Sequence, residues 1–266
     1  MFDPNDIHIV LIGNDRVLDY RLNMEILRFN FSFSDRLWIT TVYNGDPNGL
    51  PSGIGENTFI HVPENRGYGY GALDGFNHGL SFAADGYRPI VMIFNFDVWF
   101  FTEKGFIACI EDFLEANEFK GAGDNIPKNF SAGFLPDHQL FMTDCMIFDR
   151  DLLKKILPLK DEPAEHRMNN PKLQAMYEGT ELGFMNMEEW FYGSVDSKLQ
   201  ETKTKLKPPP GFIAHIMQRD GAPRYRWTEK FTLAHSHDYE QKKEWLKQYN
   251  TTKGQLIPKF LNGEFG

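Results

Sequence analysis

Glu64-Asn-Arg-Gly-Tyr-Gly-Tyr-Gly-Ala-Leu-Asp-Gly-Phe-Asn-His-Gly-Leu80, followed after a short gap by Pro89-Ile-Val-Met-Ile-Phe-Asn-Phe-Asp97, decides the fold. It reads as a glycine-punctuated loop, a helix over Tyr70 to Ala84, a turn at Asp85-Gly86 and a buried strand from Ile90 to Phe94. The strand delivers Asn95 and Asp97 to its carboxyl end, the edge where ligands of open α/β sheets bind. On an extended backbone these two residues project to one side, and Phe94 and Phe96 to the other. Hard oxygen donors with no Cys or His beside them suit Mg²⁺ or Mn²⁺ carrying a diphosphate.

Upstream, Ile7 to Ile12 reads as a strand ending at Gly13-Asn14, and Leu18, Leu22, Ile26 and Phe29 have helical spacing. Arg36 to Tyr43 is a second strand, closed by the turn signal Asn44-Gly-Asp-Pro47, and Thr58 to Val62 a short third. Strands alternating with helices in this order indicate an α/β fold with a mostly parallel central sheet flanked by helices. Glu103 to Asn117 is a helix. Strands follow at Phe130 to Phe134 and Leu140 to Phe148, then a helix from Arg150 to Leu157 with Asp149 as its N-cap. Lys160 to Leu182 is polar and weakly periodic, the pattern of a surface excursion or mobile loop. Glu188 to Gln200 reads as a helix, Phe212 to Met217 as a strand, and Tyr239 to Gln248 as a helix with acidic residues early and lysines late.

The chain has 266 residues, 41% of them hydrophobic, enough for one large core. Its apolar runs fall far short of the roughly 20 residues that span a bilayer. The amino terminus lacks the basic and apolar regions of a signal peptide. Two cysteines, Cys109 and Cys145, make neither a disulfide framework nor a zinc site, so a reducing cytoplasm is expected. A net charge of −9 argues against nucleic acid as a partner. Phosphorylated ligands then need a local counter-charge.

In this order, Asn44, Asn65-Arg66-Gly67, a glycine-rich helix with Asn77, and Asn95-x-Asp97 resemble the inverting GT-A glycosyltransferases, the large family of bacterial rhamnosyltransferases and polysaccharide-synthesising enzymes. Thr143-Asp-Cys-Met-Ile-Phe-Asp-Arg150 resembles the family's acceptor-side strand, Phe184-Met-Asn-Met-Glu-Glu189 its acidic segment, and His235-Ser-His237 its late histidine. The resemblance spans about residues 7 to 240. It implies one GT-A domain over 1–266, with a nucleotide-binding half up to about 125 and an acceptor half from about 126. It also implies a UDP-, dTDP- or GDP-sugar donor and a glycan or other hydroxyl as acceptor.

Inverting transfer requires a base at the acceptor hydroxyl and stabilisation of the departing diphosphate. The resemblance makes Glu189 that base, with Glu188 adjacent, and Asp97 a ligand of Mn²⁺ or Mg²⁺ with His235 or His237 completing the shell. Donor contacts fall to Asn14, Asn44, Asn65, Arg66, Gly67, Asn77, Asn95 and Asp97. Asp144 and Trp190 lie on the acceptor side. The chain departs from the common pattern in carrying Asn95 where many relatives have Asp, and Glu-Glu where Glu-Asp is commoner.

Plainer roles exist for each residue. Asp97 can cap a turn, Glu188-Glu189 can be a solvated first helical turn, and Asp144 can serve a structural hydrogen bond. His235 and His237 can cap the following helix, and the glycine run can be only a loop. A nucleotidyltransferase is the competing enzyme class, although Ile12-Gly-Asn-Asp-Arg16 is a poor match to its expected loop. A nucleotide-sugar-binding module without turnover is the non-catalytic alternative.

Overall fold

Alternation along the first strand, β1 (Ile7–Gly13), sets the layers. Ile7, Ile9 and Leu11 enter one apolar cluster while Val10 and Ile12 enter another, so the strand is covered on both faces. A computed structural model describes residues 2–49, 54–64, 66, 68–116, 130–135, 140–159, 225–228, 232–236, 238–249 and 253–265. Outside them lie Asn65, Gly67, Glu188, Glu189, Trp190, His237 and the segments 160–182, 188–200 and 212–217. The side chains of Asp144 and His235 are also outside the description.

The order continues with α1 (Val17–Glu25), β2 (Trp38–Tyr43), β3 (Thr58–His61), α2 (Tyr68–Asp85), β4 (Ile90–Asn95), β5 (Val98–Phe100) and α3 (Glu103–Ala116). It then runs through β6 (Phe130–Leu135), β7 (Leu140–Asp149), α4 (Arg150–Ile156), β8 (Tyr225–Thr228), β9 (Leu233–Ser236), α5 (Tyr239–Gln248) and α6 (Leu256–Leu261). The main sheet has six strands ordered β3-β2-β1-β4-β7-β6. Its first four are mutually parallel, while β7 is antiparallel to β4 and β6 to β7. The expected α/β fold with a mostly parallel sheet between helices is the one observed. A small antiparallel sheet, β5-β9-β8, stands beside it. Among the described residues no helix is long and apolar enough to cross a membrane.

On one face of the main sheet lie α1, α3, α5 and α6, whose Leu22, Phe106, Leu246 and Phe260 share a cluster with Leu11 and Met92. On the other face, Leu73, Phe76 and Leu80 of α2 and Leu152 and Ile156 of α4 pack with Val10, Val91 and Ile93. The close seat of α2 depends on Gly75 and Gly79. A Cβ at Gly75 would fall 2.6 Å from Ile12 Cδ1, and one at Gly79 2.7 Å from Val10 Cγ1. Part of the glycine enrichment in the opening stretch therefore serves helix-to-sheet contact.

Two local expectations are corrected. The second strand begins at Trp38 and not Arg36, because Ser34–Arg36 forms a 3₁₀ turn held by Arg28, which donates to the Ser34 and Leu37 carbonyls. Phe29 does not continue the buried stripe of α1 and is exposed. At Ile26–Asn30 the helix widens into a π turn, which changes the angular spacing and carries Phe29 outward.

Candidate functional site

Strand order places a crevice at the carboxyl ends of β1 and β4. From β1 the chain crosses by α1 to β2 on one side, whereas β4 lies on the other, the switch of direction that opens a ligand crevice in α/β sheets. Backbone bonds draw the following segments together there. The Gly13 carbonyl accepts from Asn44 N at 3.3 Å, and the Ile12 carbonyl accepts from Phe96 N at 3.0 Å. Gly13 is required at this contact, since a Cβ would come within 2.4 Å of the Phe96 ring.

Asp97 does not continue the extended strand beyond Asn95. Strand β4 ends at Asn95, and Phe96-Asp97 forms a turn into β5. The shared projection expected from an Asn-x-Asp on one strand is therefore corrected. The chain has to swing from the large sheet to the small one, where Val98 pairs with His235. Asn23 of α1 clamps this turn, its Nδ2 donating to the carbonyls of Phe96 at 3.2 Å and Val98 at 2.7 Å. Trp99 Nε1 adds a bond to Phe96 O at 3.1 Å.

The turn carries a buried charge cluster. Arg16, immediately before α1, places Nε 3.1 Å from Asp97 Oδ2 and Nη1 3.3 Å from Asp19 Oδ2. Lys242 of α5 ion-pairs with Asp19 Oδ1, and the Tyr239 hydroxyl donates to Asp19 Oδ2 at 3.0 Å. Lys242 Nζ also lies 4.2 Å from the Trp99 ring centroid. Burial pulls the Lys242 ammonium below the usual lysine range, and the carboxylates of Asp19 and Asp97 act against it. Burial, then the charge of Asp19, pushes the Tyr239 phenol upward. Asp19 and Lys242 are shut from solvent, whereas the Arg16 side chain keeps 31% exposure at the crevice.

Other candidates occupy several settings. Asn44 is buried at the end of β2, its Nδ2 donating to Gly71 O at 2.7 Å, so it ties the first turn of α2 to the crevice. Asn95 is half-buried and stands beside Ile12. Asn14 is spent locally, accepting from Asp15 N at 2.7 Å. Arg66 forms a bidentate pair with Asp74, with both contacts at 2.6 Å. Asn77 exchanges two bonds with the Leu159 backbone, at 2.7 and 3.1 Å, and so joins α2 to the segment that follows α4. Asp144 lies on β7, and His235 on β9.

Arg16, Asp19, Asn23, Tyr239 and Lys242 were not singled out from the sequence. A signal existed for three of them. Arg16 and Asp19 are three apart and Asp19 and Asn23 four apart, so polar residues share one helical stripe amid the apolar Leu22 and Ile26. Lys242 sits in the run Glu240-Gln-Lys-Lys-Glu244, which reads as solvated surface.

A divalent ion finds a poor fit in the described residues. The Asp97 carboxylate already bears a guanidinium, and a second cation, Lys242, acts on it from behind. Asn95 offers at most a neutral amide oxygen. Among the described residues no group of three or more His, Cys, Asp or Glu side chains is placed to hold a metal. Two carboxylates and two cations instead balance one another.

No protein-family profile matches the chain, and no curated protein matches it in sequence. Solved structures do. A mannosyltransferase of Pyrobaculum calidifontis, in complex with GDP-Man and Mn²⁺, is 12% identical over 97% of this chain and 68% of its own, with a TM-score of 0.47. A provisionally assigned nucleotide-diphospho-sugar transferase of Desulfovibrio desulfuricans G20 is 10% identical over 76% of this chain and 79% of its own, with a TM-score of 0.40. The galactosyltransferase LgtC, in complex with donor and acceptor sugar analogues, is 13% identical over 70% of this chain and 69% of its own, with a TM-score of 0.39.

Proposed function

We propose that this chain is a glycosyltransferase that moves a sugar from a nucleotide-diphosphate sugar to an acceptor hydroxyl with inversion. The observation that carries the reading is the meeting of the segments after β1, β2 and β4 at the switch point, with the Arg16–Asp97 pair in the crevice. Asn14, Asn44 and Asn95 stand at the ends of those strands, on the donor side. With Asn65, Arg66 and Gly67 they make up the proposed donor side, toward a UDP, dTDP or GDP moiety. Asp144 and Trp190 belong to the acceptor side in this proposal, and the whole chain acts as one catalytic domain. The proposal keeps a reducing cytoplasm as the setting, with Cys109 and Cys145 both buried.

Glu189 is the proposed base. It takes the proton of the acceptor hydroxyl as that oxygen attacks the anomeric carbon and the bond to the diphosphate breaks. Glu189→Gln keeps size and removes proton affinity, so kcat should fall by about 10²-fold or more while donor affinity barely moves. The assay follows release of nucleotide diphosphate from UDP-, dTDP- and GDP-sugars, with sugar acceptors present. Glu188→Gln controls the register: if it is the inactive variant and Glu189→Gln is active, the base is one residue earlier. Full activity in both variants places the base elsewhere, and release from none of the donors removes the transferase reading.

A further inference from the structure

We infer that Arg16 is the counter-cation for the donor diphosphate, so that donor binding at this crevice does not require a divalent ion; the inference rests on the nucleotide-sugar reading. The guanidinium is held from behind through two of its three nitrogens, Nε by Asp97 and Nη1 by Asp19. Its Nη2 amino group makes no hydrogen bond among the described residues. Two carboxylates thus anchor the guanidinium, and 31% of the side chain stays exposed. Such an anchored fork suits phosphate oxygens, which accept two parallel N–H bonds.

The same arrangement works against a metal at Asp97. A divalent ion there has to displace the guanidinium from a carboxylate that is 7% exposed, or sit beside it. It also adds positive charge in front of Lys242, whose ammonium burial already disfavours. Asn95, the last residue of β4 and two positions before Asp97, makes the same point, since an amide brings no charge to offset the ion. Arg66 is a weaker candidate for the role, because its fork is closed on Asp74.

Calorimetric titration of UDP, GDP and dTDP, each beside its monophosphate, tests this in excess EDTA and in Mn²⁺. For the wild type, the diphosphate that binds should do so with Kd values within about threefold in the two buffers. Arg16→Ala should weaken the diphosphate by about tenfold or more and leave the monophosphate nearly unchanged, because the lost contact is to the terminal phosphate. Arg16→Lys, which keeps charge without the fork, should fall between them. Binding of a diphosphate that disappears in EDTA overturns the inference and leaves the donor reading standing. Equal losses for mono- and diphosphate in both variants mark structural damage alone and also overturn it. If none of the three diphosphates binds in either buffer, the donor reading itself fails and Arg16 loses this role with it.

Discussion

Asn23 shows how one uncharged side chain can hold a charged site in place. Its amide meets two backbone carbonyls on either side of Asp97, so the turn is set by a helix that the sequence places more than seventy residues earlier. Asn23 is fully buried, and removing its amide leaves the Val98 carbonyl without this donor in an apolar setting. Asn23→Ala should therefore cost about 2–3 kcal/mol in urea unfolding, the range for an orphaned buried group. Asn23→Asp should cost more than alanine, since a carboxylate turns acceptor oxygens toward two carbonyls. Equal stability of the two variants would remove the clamp. A tolerant wild-type-like Asn23→Asp would do so more directly.

Among the elements, one cap was readable ahead of the structure because its chemistry is local, whereas α5 is capped by Asp238 and not by the neighbouring histidines. Asp149 caps α4 as its sequence position indicates, accepting from Asp151 N at 2.6 Å and Leu152 N at 3.0 Å. The cap of α6 was not legible. Its first amides, from Gln255, Leu256 and Ile257, donate to the Glu25 carboxylate at the far end of the sequence. Gly254, at φ +108°, makes room for it, since a Cβ would meet Glu25 Cδ at 2.4 Å. The buried Asp149 cap also leaves a pH signature. Burial raises its pKa to about 6, so between 3.8 and about 6 the folded chain holds more proton there than the unfolded chain. Stability therefore falls through that window as pH rises. His8 of β1, buried and hydrogen-bonded to Thr40, does the reverse: burial, then Arg88, lowers its pKa to about 4 from 6.5. Its unfolded form binds the extra proton, so its contribution rises with pH. The two slopes oppose one another between about pH 4 and 6. Asp149→Asn keeps a good cap and removes the falling slope. Its urea stability should climb more steeply than that of the wild type over this range, by up to roughly 1.4 kcal/mol per pH unit. Parallel pH curves for the two proteins would count against a protonated cap.

At the scale of the whole molecule, the crevice is assembled from both ends of the described chain, and this separates what the sequence reveals from what it hides. The apolar run Ile90 to Phe94, its neighbour Ile7 to Ile12 and helix α5 carry their own periodicity and lie where they were expected, while the second strand starts two residues later than the expected Arg36. The three-residue β5 and four-residue β9 are too short for a periodic signal and exist because they pair across the chain, Val98 with His235. The same holds for Lys242, a residue of polar surface character that is buried by Asp19, 223 positions away. Since burial lowers the lysine's proton affinity even beside a carboxylate, the pair locks α5 onto α1 more than it adds net stability. Breaking one side should be costly. Lys242→Met leaves the Asp19 charge buried with Arg16 and Tyr239 alone to answer it, for an expected loss of about 3 kcal/mol. Replacing both residues, Asp19→Asn with Lys242→Met, removes the stranded charge and should recover a large part of that loss. A double-mutant cycle in urea measures the difference, with a coupling of about 1–3 kcal/mol expected for two charges in contact. Additive single effects would mean that α5 is held by Trp245 and Leu246 packing alone, and that the charge cluster behind Asp97 is not a joint between the chain ends.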